Sequence, residues 1–325
     1  MSRRVAVFSL GGTIAMTSDP HTPGVIPALS GQQLLAAVPG LSGLDLDVEV
    51  HDFRRVPGGS LAIDDVIALH ASIGSVSADG VVVTQGTDTI EEVAYLLDLL
   101  ESGDQPVVVT GAMRNPTLAG ADGPSNLLAA IQVAGDATAA GLGCLVVFAD
   151  EIHAARHVRK IHGTSVAAFA SPDAGPLGYL VEGRVRWLTI PRRRPAVQLT
   201  PGVRVPRVPL VTATMGDDGE LLRCVDDRFD GLVVAAFGAG HVPAAWVEPL
   251  ATLAKRIPVV LASHPGGPLL TTTYMFPGSE IDLLRRGLIG AGFLNPAKAR
   301  ILLILLLMSG AERHEIARTF TAEGD

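Results

Sequence analysis

A chain of 325 residues that is 48% hydrophobic and 18% charged has apolar material for one large core or two moderate ones. Its formal net charge of −8 argues against nucleic acid and anionic membrane surfaces as partners. Two cysteines far apart in sequence, Cys144 and Cys224, with no CxxC, exclude a disulfide framework and point to a reducing, cytoplasmic compartment.

The basic start, Met1 to Arg4, runs into a short apolar strand and a Gly-Gly-Thr turn, which is not the plan of a secretion signal. Strands are predicted over 4–10, 46–53, 80–84, 106–110 and 143–149. They alternate with helices over 30–38, 63–76, 89–101 and 122–140, with a further turn near 151–157. That alternation predicts a doubly wound, mainly parallel sheet, a larger N-terminal α/β domain over 1–190. Residues 191–209 then carry five prolines and Arg192, Arg193 and Arg194, and read as an extended linker. A smaller C-terminal α/β domain follows over 210–325. Its strands are predicted at 208–214, 231–236 and 259–263, and its helices near 243–255, 279–287 and 295–309. The apolar run from Ile301 to Met308 is far short of the roughly 20 residues that span a bilayer, and reads as a helix buried in the core or at a subunit contact.

Two turns stand out. The first strand leads into Gly11, Gly12 and Thr13, where paired glycines permit a sharp turn and leave room for a ligand beside the main chain. Its hydroxyl sits at the carboxyl end of a strand, where open α/β sheets bind ligands. The second turn, Gln85-Gly86-Thr87-Asp88-Thr89, follows the β-branched strand 80–84. Thr89 with Glu92 three residues later reads as a capping box, which accounts for Thr89 and leaves Thr87 and Asp88 beside the positive end of the helix dipole.

A threonine hydroxyl needs a base to become a nucleophile. Lys160, which follows the strand over 143–149, is the natural one on this sheet, and Thr87 between Thr13 and Lys160 makes a hydroxyl relay. Asp88 either fixes the lysine or takes a substrate ammonium. His153 and His157 are four residues apart, the spacing of one helix face, but without an HExxH or a third ligand no metal is expected. The chain has no GxGxxG, GxxxxGK[ST] or GxSxG, so dehydrogenase, NTPase and serine-hydrolase readings lose ground and no cofactor is expected.

Together these residues resemble the bacterial L-asparaginase (asparaginase/glutaminase) family over nearly the whole chain. Leu10-Gly-Gly-Thr-Ile-Ala-Met16 and Gln85-Gly-Thr-Asp-Thr-Ile-Glu-Glu92 look like its two signatures. The segments 106–114, 121–126, 175–179 and 295–300 are also similar to family sequence. The resemblance implies hydrolysis of L-asparagine to L-aspartate and ammonia. It makes Thr13 the nucleophile, Thr87 and Lys160 the activating pair, and Asp88 the ligand of the α-ammonium. Gly12 and Gly86 would line the site, and Ala112 would offer a backbone carbonyl near the leaving amide. It further implies a homo-oligomer, dimer or tetramer, with active sites at a dimer interface to which a neighbour sends Glu280 and His241. Two departures accompany it. Segment 16–35 lacks the family's lid tyrosine, with Gly24 at the aligned position and Thr17, Ser18 and His21 as the polar lid side chains near Thr13. The substrate-clasping pair is replaced by Gly58 and Gly59, with Ser60 one step on. A different small amide is therefore the alternative substrate, and a weakly catalytic amino-acid-binding homologue the alternative class.

Overall fold

The computed structural model describes residues 2–19 and 22–324 and divides into two compact units, Met1–Ala196 and Val197–Asp325. His21 of the predicted lid lies outside the described residues.

In the first unit the strands are β1 (Arg3–Ser9), β2 (Met16–Asp19), β3 (Thr22–Pro27), β4 (Leu46–Asp52), β5 (Gly80–Thr84), β6 (Val107–Thr110), β7 (Cys144–Phe148), β8 (Glu151–Ala154), β9 (Arg159–Lys160), β10 (Phe169–Ala170), β11 (Gly178–Val181) and β12 (Arg184–Trp187). The helices are α1 (Gly31–Ala36), α2 (Ile63–Gly74), α3 (Ile90–Leu100) and α4 (Gly123–Gly135). Eight strands form one sheet in the order β12-β11-β8-β7-β6-β5-β1-β4. From β4 to β7 the pairs are parallel; β8, β11 and β12 are added antiparallel. Strands β5 and β7 are buried along their whole length, as strands covered on both faces must be, so they read in sequence as unbroken apolar runs. On one face Val5, Val7, Val82, Val108, Leu145 and Val147 join Leu127, Ala130, Ile131 and Ala134 of α4 in one core cluster. Helix α3 packs on β6 and β7, with α2 beside it.

The second unit holds β13 (Leu210–Thr212), α5 (Glu220–Arg223), β14 (Leu232–Ala236), α6 (Val247–Ala254), β15 (Val259–Ser263), α7 (Glu280–Arg285), β16 (Ile289–Gly290), α8 (Pro296–Met308) and α9 (Arg313–Gly324). Strands β13 to β16 make a parallel sheet in chain order. From Ile301 to Met308 helix α8 is apolar all round, and it is buried from Ile301 to Leu306, as a helix packed inside a core requires. Among the described residues no helix is long and apolar enough to cross a membrane.

The structure corrects several local expectations. Residues 151–154 form β8, not a helical turn, because Ala149 and Asp150 adopt φ of 49° and 64° and fold the chain back on β7 as a tight hairpin. His153 therefore lies on a strand, and its spacing from His157 defines no helix face. The helix predicted over 122–140 ends at Gly135, and Asp136 caps a separate short turn by accepting from Thr138 N at 2.7 Å. Helix α9 escapes the sequence pattern because its buried apolar positions, Ile316 and Phe320, are set in a polar segment.

Candidate active site

Strand β1 lies between β4 and β5, so successive strands are added first on one side of it and then on the other. Such a switch point opens a crevice at the carboxyl ends of the strands. Ser9 stands opposite Thr84 in the ladder, so the turns after β1 and β5 leave the sheet at the same height.

Those turns meet backbone to backbone. Gly12 has φ of 81°, and a Cβ on it would fall 2.1 Å from Gly86 N. Gly58, in the turn after β4, is also close: a Cβ there would fall 2.9 Å from Gly86 O. Three turns from adjacent strands thus touch with no side chain between them, a contact that glycine alone permits. Thr13 and Thr87 are the residues that follow Gly12 and Gly86, so this contact presents their hydroxyls from neighbouring turns. Thr13 is half-buried and opens the turn Thr13–Ala15; Thr87 is buried and opens Thr87–Thr89.

Lys160 comes from β9, which packs beside α3. Its Nζ donates to Thr87 Oγ1 at 2.9 Å and to Asp88 Oδ1 at 2.8 Å. The lysine side chain is only 18% exposed while that of Asp88 is 74% exposed, so the carboxylate is the more open partner. One cation is thereby shared between a buried hydroxyl and an open carboxylate.

Thr89 does not cap its helix. It sits at φ −120° and ψ 11° with no side-chain capping bond. Its hydroxyl instead donates to Gly58 O at 3.1 Å and accepts from Gln85 Nε2 at 3.2 Å, tying the turn after β4 to the turn after β5. Gly59 and Ser60 are exposed, and a Cβ on Gly59 would meet open space. The same is true of Gly24 on β3, where the lid tyrosine is absent. Ala112 is fully buried beside the start of α4: a Cβ on Gly123 would stand 3.4 Å from Ala112 Cβ and 2.9 Å from Ile14 Cγ1, next to Thr13.

His241 and Glu280 lie in the second unit, 3.2 Å apart from Nε2 to Oε2. Glu280 is fully buried, and its other oxygen accepts from Thr273 N at 3.0 Å and Tyr274 N at 2.6 Å. Burial raises its pKa, but the backbone N–H groups and His241 outweigh that and hold the carboxyl below its ordinary value. Both oxygens are thus engaged within their own unit. The His241 ring lies edge-on to Tyr274 and Phe276, with centroids 4.9 and 5.0 Å away.

Sequence reasoning passed over Asn126. Buried in α4, it donates to Gly111 O at 3.0 Å and Asp122 Oδ2 at 3.2 Å, and accepts from Ala149 N at 3.0 Å. It binds the turns after β6 and β7 together. In sequence, segment 121–126 is only similar to family sequence; an asparagine near the start of an apolar helix is the signal that points to it.

The chain thus combines a two-unit α/β fold with a hydroxyl–lysine–carboxylate cluster at the carboxyl ends of the first unit's strands. Residues 4–193 match the model for the asparaginase N-terminal domain, and residues 207–320 that for the glutaminase/asparaginase C-terminal domain. The chain belongs to the asparaginase family. It is 38% identical to a probable L-asparaginase of Deinococcus radiodurans, over 98% of this chain and 97% of that protein. It is 34% identical to L-asparaginase 2 of Escherichia coli K12, over 97% and 92%, and 32% identical to a glutaminase-asparaginase of Pseudomonas fluorescens, over 97% and 89%. Among solved structures, a probable cytoplasmic L-asparaginase from Campylobacter jejuni superposes with a TM-score of 0.87 at 32% identity, covering 98% of this chain and 99% of that one.

Proposed function

We propose that this chain is an L-asparaginase that hydrolyses L-asparagine to L-aspartate and ammonia through a threonine acyl-enzyme. The observation that carries the reading is the Lys160 ammonium bridging Thr87 and Asp88, beside the turn that presents Thr13. Thr13 attacks the side-chain amide carbon; its proton passes to Thr87, which hands its own to Lys160 in the neutral amine form, and the resulting ammonium returns a proton to the leaving amide nitrogen. Backbone N–H groups of the 11–13 turn stabilise the oxyanion. Ammonia leaves with a proton, and water then releases aspartate and restores the Thr13 hydroxyl. Asp88, open on its solvent side, takes the α-ammonium while still holding Lys160, and Ala112 offers its carbonyl near the leaving amide. The glycines Gly12, Gly58, Gly59 and Gly86, with Ser60, line the crevice.

In this reading the working form is a homo-oligomer in which His241 and Glu280 complete a neighbour's site. Its compartment is the cytoplasm, in keeping with two free cysteines, one buried and one exposed. Ammonia release from asparagine, glutamine and a set of small amides tests the function. Turnover of asparagine that Thr13→Ala abolishes is the expected result; turnover that survives in Thr13→Ala removes the acyl-enzyme. The open space at Gly59 and Gly24 favours one second reading, a bulkier small amide as substrate, which the same panel identifies. Silence across the panel would leave a weakly catalytic binding homologue.

A further inference from the structure

Lys160 stands on a strand of two residues. Among the described residues β9 pairs with β10 alone, Lys160 opposite Phe169, and so short a two-stranded ribbon does not hold itself. Two side-chain contacts are among those that fasten it to the main sheet. The Phe169 ring packs on Phe148 at the end of β7, with centroids 4.7 Å apart. Ser171, the residue after β10, has its Oγ 3.1 Å from Nδ1 of His153 on β8. His153 is fully buried and Ser171 nearly so. Across the ring, Nε2 lies 3.2 Å from Oε2 of Glu151, two residues back on the same face of β8.

We propose that the His153–Ser171 hydrogen bond sets the position of the Lys160 ammonium against Thr87, making His153 and Ser171 positioning residues for the proton relay. The inference rests on the reading that Lys160 handles protons for Thr13. The bond joins the two ends of the segment that carries Lys160: residues 153 and 171 are 18 apart, with Lys160 between them. Closing that loop removes freedom that the lysine would otherwise keep. On its Nδ1 side the ring is fixed by the Ser171 hydroxyl, which sets its orientation as well as its place. A displacement of about 1 Å at a reacting group costs on the order of a hundredfold in rate, so a slack in β9 reaches the chemistry without touching substrate.

The test separates the two sides of the ring. In His153→Asn the amide takes the place of Nδ1 and keeps the contact with Ser171; in His153→Gln it takes the place of Nε2 and loses that contact. Ser171→Ala removes the hydroxyl alone. Steady-state kinetics are measured on the amide that the wild type turns over best. Ser171→Ala and His153→Gln are expected to lower kcat about tenfold with KM changed by less than about twofold, His153→Asn to stay within about threefold of wild type, and the double variant His153→Gln/Ser171→Ala to be no worse than the poorer single. A kcat for Ser171→Ala within about twofold of wild type overturns the proposal, as do equal losses in the Asn and Gln variants, a loss carried by KM, or losses that multiply in the double variant. If His153→Gln does not fold, Ser171→Ala decides alone. Lys160→Met separates this inference from the reading beneath it. A Lys160→Met enzyme that keeps more than about a tenth of wild-type kcat removes the lysine relay itself. A dead Lys160→Met beside a silent Ser171→Ala removes only the strut. A wild type that turns over no amide removes the hydrolase reading.

Discussion

Gly12 and Gly86 stand so close that a methyl group on Gly12 would fall 2.1 Å from Gly86 N, closer than any non-bonded carbon approaches nitrogen. Gly12 also has φ of 81°, where a side chain is strained in any surroundings. Gly12→Ala should therefore destabilise the protein by at least about 2 kcal/mol, combining backbone strain with a clash that cannot relax into a side chain. Gly59→Ala, whose methyl group would meet open space, should change stability by less than about 0.5 kcal/mol. Denaturant midpoints measure both, and equal shifts in the two variants would refute the backbone contact.

Lys160→Met keeps the length of the side chain and removes the ammonium that bridges Thr87 and Asp88. Its kcat should fall by about a hundredfold or more while KM moves by only a few-fold, the pattern of an interaction made in the transition state. A dominant rise in KM would instead make Lys160 a holder of Asp88 and of substrate.

Thr89→Val deletes the hydroxyl that joins Gln85 Nε2 to Gly58 O and keeps the shape of the side chain. The loss should be about 1–2 kcal/mol of stability. It should also raise KM more than it lowers kcat, because in the proposed reading the freed turn at Gly58 and Gly59 lines the substrate side of the site. Unchanged KM would show that this turn makes no contact with substrate.

The depressed pKa of Glu280 makes a signed prediction. A carboxyl held lower in the folded state than in the unfolded chain adds stability that is present above its unfolded pKa and lost as pH falls through the folded one. The melting temperature of the wild type should thus fall below about pH 5 more steeply than that of Glu280→Gln. Parallel acid limbs would mean that the charge on Glu280 contributes nothing to the fold.

Cys144 is buried, and burial, with the charges of Asp98 and Glu101 behind it, pushes its thiol well above the ordinary range; Cys224 is exposed. A thiol reagent at neutral pH should label one cysteine per native chain promptly and the second only on unfolding. Fast labelling of both would contradict the packing of β7 against α3.

Four residues of the candidate site stand out in the sequence itself. Thr13, Thr87, Asp88 and Lys160 were each picked out by a turn after an apolar strand or by a lysine downstream of one. The structure brings Lys160, Thr87 and Asp88 into hydrogen-bond contact. Thr89 was misread because Thr-x-x-Glu is a local pattern, and the Gly58 carbonyl, 31 residues away in sequence, competes for the same hydroxyl. His153 was misread for a similar reason. A spacing of four means a helix face only if the backbone is helical, and the left-handed pair Ala149 and Asp150 sends it back as a strand.

By itself the sequence determined the alternation of buried strands and helices, the glycine turns that end β1 and β5, and the resemblance that the family models bear out. These are properties of short windows, where β-branched runs, glycine pairs and helical periodicity act on neighbouring residues. The tertiary structure alone decided that β4 and β5 flank β1, and that three glycine turns touch. It also decided that Lys160 crosses 73 residues of sequence to reach Thr87. Those outcomes follow from which faces are buried against one another, and burial is a property of the whole packed chain.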